Sequence, residues 1–131
     1  MKRKKSNNSS IQKGLRAPLD YYEASKEERD EIINRCGPDG FLNKFIPDHL
    51  FGLSIAEVCN IHDWEFSKAQ SQEDLKKADL NFKNNLMWIV RNNTKNVFLK
   101  SIRQAAAKIY FWVVRAYSKH HKIQNLSLIH I

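Results

Sequence analysis

Residues 59–63, Cys-Asn-Ile-His-Asp, bring a thiol, an imidazole and a carboxylate close together in the chain. Imidazole takes up and returns a proton near neutral pH, so His62 is a candidate general base. A carboxylate can serve such a base in two ways. It can accept a hydrogen bond from one ring nitrogen and so fix the tautomer, or it can hold a hard cation close by. Two carboxylates are available, Asp63 next door and Asp79 on the following amphipathic stretch. Upstream, residues 36–40 read Cys-Gly-Pro-Asp-Gly, a glycine-rich loop whose carbonyls and amides can approach a metal or a developing oxyanion.

Whether these groups meet depends on the elements that carry them. Ile55, Cys59, His62 and Phe66 follow steps of 4, 3 and 4, the period of one helical face, so His62 is expected on a buried stripe. Leu75, Asp79, Phe82, Leu86 and Ile89 do the same on the next helix, with Asp79 interrupting the apolar run. The turn between them centres near residues 70 and 71. An antiparallel hairpin pivoting there sets position 62 opposite position 79. A buried carboxylate is costly unless paired, so Asp79 is predicted to accept from His62 and leave the other ring nitrogen as a base. Asp63, turned about 100° around the helix axis, is predicted to face away from Asp79 toward the glycine-rich loop, a setting that suits calcium. The competing reading is a satisfied buried bridge between His62 and Asp79 with Asp63 solvated. The conjunction of a His-Asp pair, an opposed second Asp and a glycine-rich loop favours chemistry.

The wider chain reads as all-α. Ser25-Lys-Glu-Glu28 is a capping box for a first helix that runs from about Leu19 or Ser25 to Arg35, with Gly37-Pro38 as its stop. From Cys36 to about Phe51 the chain is loop-like, with room for a small β-hairpin; residues 36–52 hold three of the four glycines and two of the three prolines. Loops of that length in a compact domain are usually functional. A second helix is expected from Ser54 to about Ala69, a third from a Ser71 cap to about Asn93, and a fourth from about Asn96 to His120. Residues 1–17 read as a disordered basic arm and 18–125 as one helical domain. Residues 126–131, Leu-Ser-Leu-Ile-His-Ile, resemble a translated sequencing-library adapter and are set aside from fold reasoning.

Charge is distributed unevenly. The net charge is +8, and all 14 acidic residues lie between Asp20 and Asp79. The acid-free segments 1–16 and 80–131 suit an anionic partner, nucleic acid or an anionic lipid surface. No apolar run reaches spanning length, since Ile109–Val114 is short and bracketed by Lys108 and Arg115. No secretory signal is recognisable, the location stays open between the cytoplasm and release by another route, and Cys36 and Cys59 are free thiols by default.

Residues 59–66, Cys-Asn-Ile-His-Asp-Trp-Glu-Phe, resemble the active-site helix of the phospholipase A2 superfamily, C-C-x-x-H-D-x-C-Y. Residues 36–40 resemble its calcium loop, C-G-x-G-G, and the order of helix, loop, His-Asp helix and antiparallel helix with a second Asp agrees. The likeness covers roughly residues 25–90 and is nearest to the small bacterial, fungal and viral members. It implies a small phospholipase A2-like domain in which two long antiparallel helices carry the dyad. In that reading His62 deprotonates the attacking water and Asp79 orients it. Asp63, with carbonyls of Arg35, Gly37 and Asp39, holds Ca²⁺, and the Gly37 amide helps hold the oxyanion. Cys36 and Cys59 match the family's disulfide from calcium loop to active-site helix. The implied activity is calcium-dependent hydrolysis of the phospholipid sn-2 ester at an anionic phospholipid interface, peripheral rather than transmembrane. Three positions depart from the pattern: Asp39 stands where the family has glycine, Phe66 where it has tyrosine, and Val58 where it has a second cysteine. Tyr21, Tyr22, Tyr110 and Tyr117 are the candidates to replace the missing hydroxyl.

Two other functions are set beside this one. The first is a catalytically impaired phospholipase A2-like fold that binds lipid or protein, which Asp39 and Phe66 would favour. The second is a basic helical nucleic-acid-binding domain; it rests on charge alone and leaves His62 and Asp79 without a purpose, so nucleic acid is the disfavoured partner. A zinc site at His49, Cys36, Cys59 and His62 fits no standard spacing. His120-His121 reads as a favourable charge arrangement at a helix C-terminus. Tyr110, Phe111, Trp112 and Tyr117 read as core, or in part as an apolar rim with Lys108, Arg115 and Lys119 meeting headgroups.

Overall fold

The computed structural model describes residues 14–35 and 48–130, with segments 33–35 and 121–130 as backbone only. Among the described residues the order is α1 (Leu19–Glu23), α2 (Lys26–Arg35), β1 (His49–Leu50), β2 (Leu53–Ser54), α3 (Ala56–Lys68), α4 (Gln72–Asn93) and α5 (Val97–His130). The molecule is all-α but for the two-stranded hairpin. No described helix is long and apolar enough to cross a membrane.

Local chemistry sets most boundaries. Of the two expected starts for the first helix, Ser25 opens the helix that reaches Arg35, while Leu19 opens a separate short α1 that is closed by Ala24, extended at ψ 151°. Ser25 Oγ then accepts from the Glu28 amide at 3.0 Å and starts α2. Ser71 Oγ accepts from the Asp74 amide at 3.0 Å while Asp74 Oδ2 accepts from the Gln70 amide at 3.0 Å, so side chain and backbone cap α4 from both directions. Asn96 Oδ1 accepts from the Leu99 amide at 2.9 Å and caps α5. Ser54 does not open α3 as expected. It lies in β2, paired with His49, and the helix begins after Ile55. Phe51 and Gly52 join the strands with φ of 49° and 86°, the two positive angles of a type I′ turn. Arg103 anchors this hairpin from α5, donating from Nη2 to the Phe51 carbonyl at 2.7 Å and from Nη1 to Thr94 Oγ1 at 2.8 Å.

Helices α3 and α4 form the expected hairpin, and α5 returns antiparallel along α4, meeting Thr94 through Arg103 and Asp79 through Ser118. Val58, Ile61, Phe82, Leu86, Ile89, Val90, Ala107 and Val114 fill the space between them. On the other side of α3, Trp64 packs edge-on to Tyr21 of α1 with ring centroids 5.6 Å apart. Trp64 also donates from Nε1 to Asp20 Oδ1 at 3.2 Å, and the Tyr21 hydroxyl donates to Glu57.

Two expectations about the ends are corrected. Residues 14–17 belong to the folded body rather than to the arm: Leu15 is buried, and Asn85 both accepts from the Arg16 amide at 2.8 Å and donates to the Arg16 carbonyl at 2.9 Å. The rest of that arm, 1–13, lies outside the described residues. At the other end, α5 does not stop at His120 but continues to His130, through most of the segment set aside as adapter, so the His pair does not mark a helix end.

Candidate active site

The predicted pairing of positions 62 and 79 is present. His62 Nε2 lies 2.7 Å from Asp79 Oδ1, and both side chains are buried, at 1% and 0% exposure. The stripe periods explain why. His62 shares the inner face of α3 with Phe66, and Asp79 shares that of α4 with Leu75 and Phe82, so the hairpin brings both polar groups to one level of the core. The imidazole ring sits 5.0 Å from the Phe82 ring and 6.0 Å from the Phe66 ring, centroid to centroid. A carboxylate can only accept, so Nε2 carries the proton toward Asp79 and Nδ1 holds the lone pair. Nδ1 is buried and has no hydrogen-bond partner among the described residues. Buried polar atoms in that condition are rare and point to strain, to a ligand or to chemistry.

Asp79 has two further donors, neither anticipated. Arg115 Nη1 donates to Oδ2 at 2.7 Å and Ser118 Oγ to Oδ1 at 3.1 Å. The carboxylate thus takes three hydrogen bonds from three different residues, one of them from a guanidinium that balances its charge. Arg115, expected to meet lipid headgroups, instead turns inward with its side chain 21% exposed. The hydroxyl expected from a tyrosine comes from Ser118. Tyr117, one of the four tyrosine candidates, stacks on Phe66 at 5.8 Å instead. The signal for Ser118 was in the sequence: Arg103, Ala107, Phe111, Val114 and Ser118 run at steps of 4, 4, 3 and 4, and a polar residue on that buried stripe has the same meaning as Asp79 on its own.

The expected calcium ligands are only partly in view. Asp63 is half-buried, and desolvation pushes its carboxyl up to about 6 against the opposing pull of His62. It lies on the Cys59 side of α3, where it and Asp48 add to the burial that pushes the Cys59 thiol up to about 12. A partly desolvated carboxylate of this kind is a chemically suitable donor for a hard cation. Arg35 is the last residue of α2. Gly37, which also carries the oxyanion expectation, and Asp39 lie outside the described residues. Among the described residues no three His, Cys, Asp or Glu side chains cluster as a metal site. The zinc reading of His49 gains nothing, since its Nδ1 is 3.0 Å from Asp48 Oδ1 at the surface. Among the described residues Cys59 has no disulfide partner. Its expected partner Cys36 is another of the residues not described.

Comparison of the chain with protein-family models, with curated proteins and with solved structures finds no match.

Proposed function

We propose that the chain is a phospholipase A2-like esterase that hydrolyses the sn-2 ester of phospholipids with calcium at an anionic lipid surface. The observation that carries this reading is the buried 2.7 Å contact of His62 Nε2 with Asp79, which leaves Nδ1 as the available lone pair. In the proposed reaction Nδ1 removes a proton from the attacking water as its oxygen bonds to the ester carbonyl carbon. Asp79 keeps its hydrogen bond to Nε2–H and stabilises the imidazolium. Arg115 and Ser118 hold the carboxylate in place. Nδ1–H then returns the proton to the departing sn-2 alcohol oxygen as that bond breaks, and the ring is neutral again. Calcium, held by Asp63 with carbonyls of Arg35, Gly37 and Asp39, would polarise the ester carbonyl. The Gly37 amide would donate to the oxyanion. The lipid-facing surface in this reading is α5, where Ile109 and Trp112 are exposed at 60% and 68% beside exposed Lys108 and Lys119.

A second reading, the impaired phospholipase A2-like fold that binds lipid or protein, is favoured by one observation. His62 is enclosed at 1% exposure, and Asp79 is held by His62, Arg115 and Ser118 as the carboxylate of a buried structural bridge would be. Release of fatty acid from phospholipid vesicles, with calcium or with EGTA, separates the two. The enzyme reading expects turnover that EGTA abolishes and that His62→Gln lowers by at least about a hundredfold. Absent turnover in folded protein, together with retained vesicle binding, would leave the second reading standing, whereas EGTA-insensitive turnover would overturn the role given to calcium.

A further inference from the structure

On the outer face of α4, away from the dyad, Gly14, Arg16, Asn84, Asn85, Trp88 and Arg91 line most of a cavity of about 390 Å³. We propose that this cavity is a binding site for a phosphate ester, with the phosphate on the two arginines and an apolar or planar substituent against Trp88.

The cavity is built rather than incidental. Asn85 spends both ends of its amide on the Arg16 backbone, at 2.8 and 2.9 Å, and Asn81 Nδ2 donates to the same carbonyl at 2.8 Å. Those three hydrogen bonds fix where the Arg16 side chain leaves the chain. Gly14 closes the wall against the indole. A Cβ at that position would lie 2.3 Å from Trp88 Cζ2, and its φ of +99° is one that side-chain-bearing residues avoid. Only glycine lets the backbone pass so close to the ring.

The donors in the cavity are uncommitted. Among the described residues no ion pair or side-chain hydrogen bond engages the guanidinium of Arg16 or of Arg91. Nor can the arm before Gly14 neutralise them, because residues 1–13 contain no Asp or Glu. The chain from Leu80 onward has none either, so no carboxylate on the second half of α4 or on α5 competes for these groups. Guanidinium pairs take phosphate oxygens by bidentate, charge-assisted hydrogen bonds, and an indole beside them supplies an apolar face. The volume suits a small organic phosphate, at the lower end of ordinary ligand pockets. The ester can be a free metabolite or a lipid headgroup, since the chemistry of recognition is the same for both.

The experiment is a titration of the full chain with phenyl phosphate, with inorganic phosphate, and with phosphatidylcholine vesicles carrying phosphatidate. It is followed by NMR at the Trp88 indole N–H and the Arg16 and Arg91 Nε–H. Trp64, buried on the other side of α3, serves as the internal reference. Saturable shifts confined to Trp88 and the two arginines are expected, with phenyl phosphate tighter than inorganic phosphate. Affinity should fall roughly tenfold in Arg91→Gln and again in Arg16→Gln. Lys95→Gln, which removes an exposed cation outside the cavity, should leave it unchanged. Saturation by the soluble ester identifies a free phosphate ester as ligand. Shifts at these residues with phosphatidate vesicles alone identify a lipid phosphate. Shifts spread over the α5 lysines with the soluble phosphates, an equal loss in Lys95→Gln, or no saturable shift at Trp88 with any of the three probes overturns the site.

Discussion

Asp79 is the residue on which the core is most exposed to error. Its carboxylate is fully buried and depends on His62, Arg115 and Ser118 for every hydrogen bond described above. Removing one member of a buried charge pair leaves the other uncompensated, so Arg115→Met should destabilise the protein by about 3 kcal/mol. Ser118→Ala should cost about 1 kcal/mol. Urea unfolding measures both, and a near-neutral Arg115→Met would mean that the guanidinium does not hold the dyad. Asp63 gives a second test, through pH. Its folded pKa is raised to about 6 from 3.8, so the folded state binds the proton more tightly than the unfolded chain does. The stability it contributes is present below about pH 4 and is lost as the pH rises through about 6. In EGTA, the wild type should therefore lose about 3 kcal/mol relative to Asp63→Asn between pH 4 and pH 7. A constant gap between the two proteins would remove the desolvation argument for this carboxylate. At this scale the sequence carried His62 against Asp79, because two stripe periods and one pivot determine which positions meet. It did not carry Arg115. A residue one step past a buried stripe can turn inward or outward, and only the partner it finds decides.

At the scale of elements, capping chemistry was the most legible signal. Ser25 and Ser71 each fix a helix start by a side chain to its own backbone, an interaction local enough to read from a few residues. The β-hairpin was visible only as room in a loop. Its strands are two residues each, too short for an alternating pattern, and its turn places Phe51 where Asn is the favoured residue. Phe51 sits at φ 49° with 62% of its surface exposed, so little burial offsets the backbone cost. Phe51→Asn should raise stability by about 0.5–1 kcal/mol, seen as a higher urea midpoint with an unchanged slope. A loss instead would show that the ring is held by contacts worth more than the strain. The first helix has two possible starts in the sequence, Leu19 and Ser25, and the Ser25 capping box marks where the longer one, α2, begins. The extended Ala24 separates it from α1.

For the whole molecule, an acid-rich first half meets a second half that is basic throughout. The charge is +8, and α5 carries cations with no acid along its entire length. Binding to anionic vesicles should weaken steeply as rising salt shortens the Debye length from about 10 Å near 0.1 M to about 3 Å near 1 M. Trp112→Ser should lower affinity at every salt concentration without changing that dependence, since it removes apolar contact and no charge. Centrifugation with vesicles reads both effects, and a salt-dependent loss in Trp112→Ser would contradict the division of labour on this face. The all-α class followed from helical periodicity. How α5 lies on the hairpin did not, because a helix with several polar interruptions can be rotated into more than one partnership.

The positions that meet at Asp79 differ in how far apart they lie along the chain. His62 is 17 residues away and arrives by closing one hairpin, whereas Arg115 and Ser118 are 36 and 39 residues away and need α5 to dock. Closing the short loop costs less entropy than closing the long one, so the two contacts belong to different moments in folding. Arg115→Met is expected to act mainly on the unfolding arm of a chevron plot, and changes at the α3–α4 contact on the folding arm. The dyad would then form first and be locked afterwards. The guanidinium that completes the site would also be the latch that sets the lifetime of the native state.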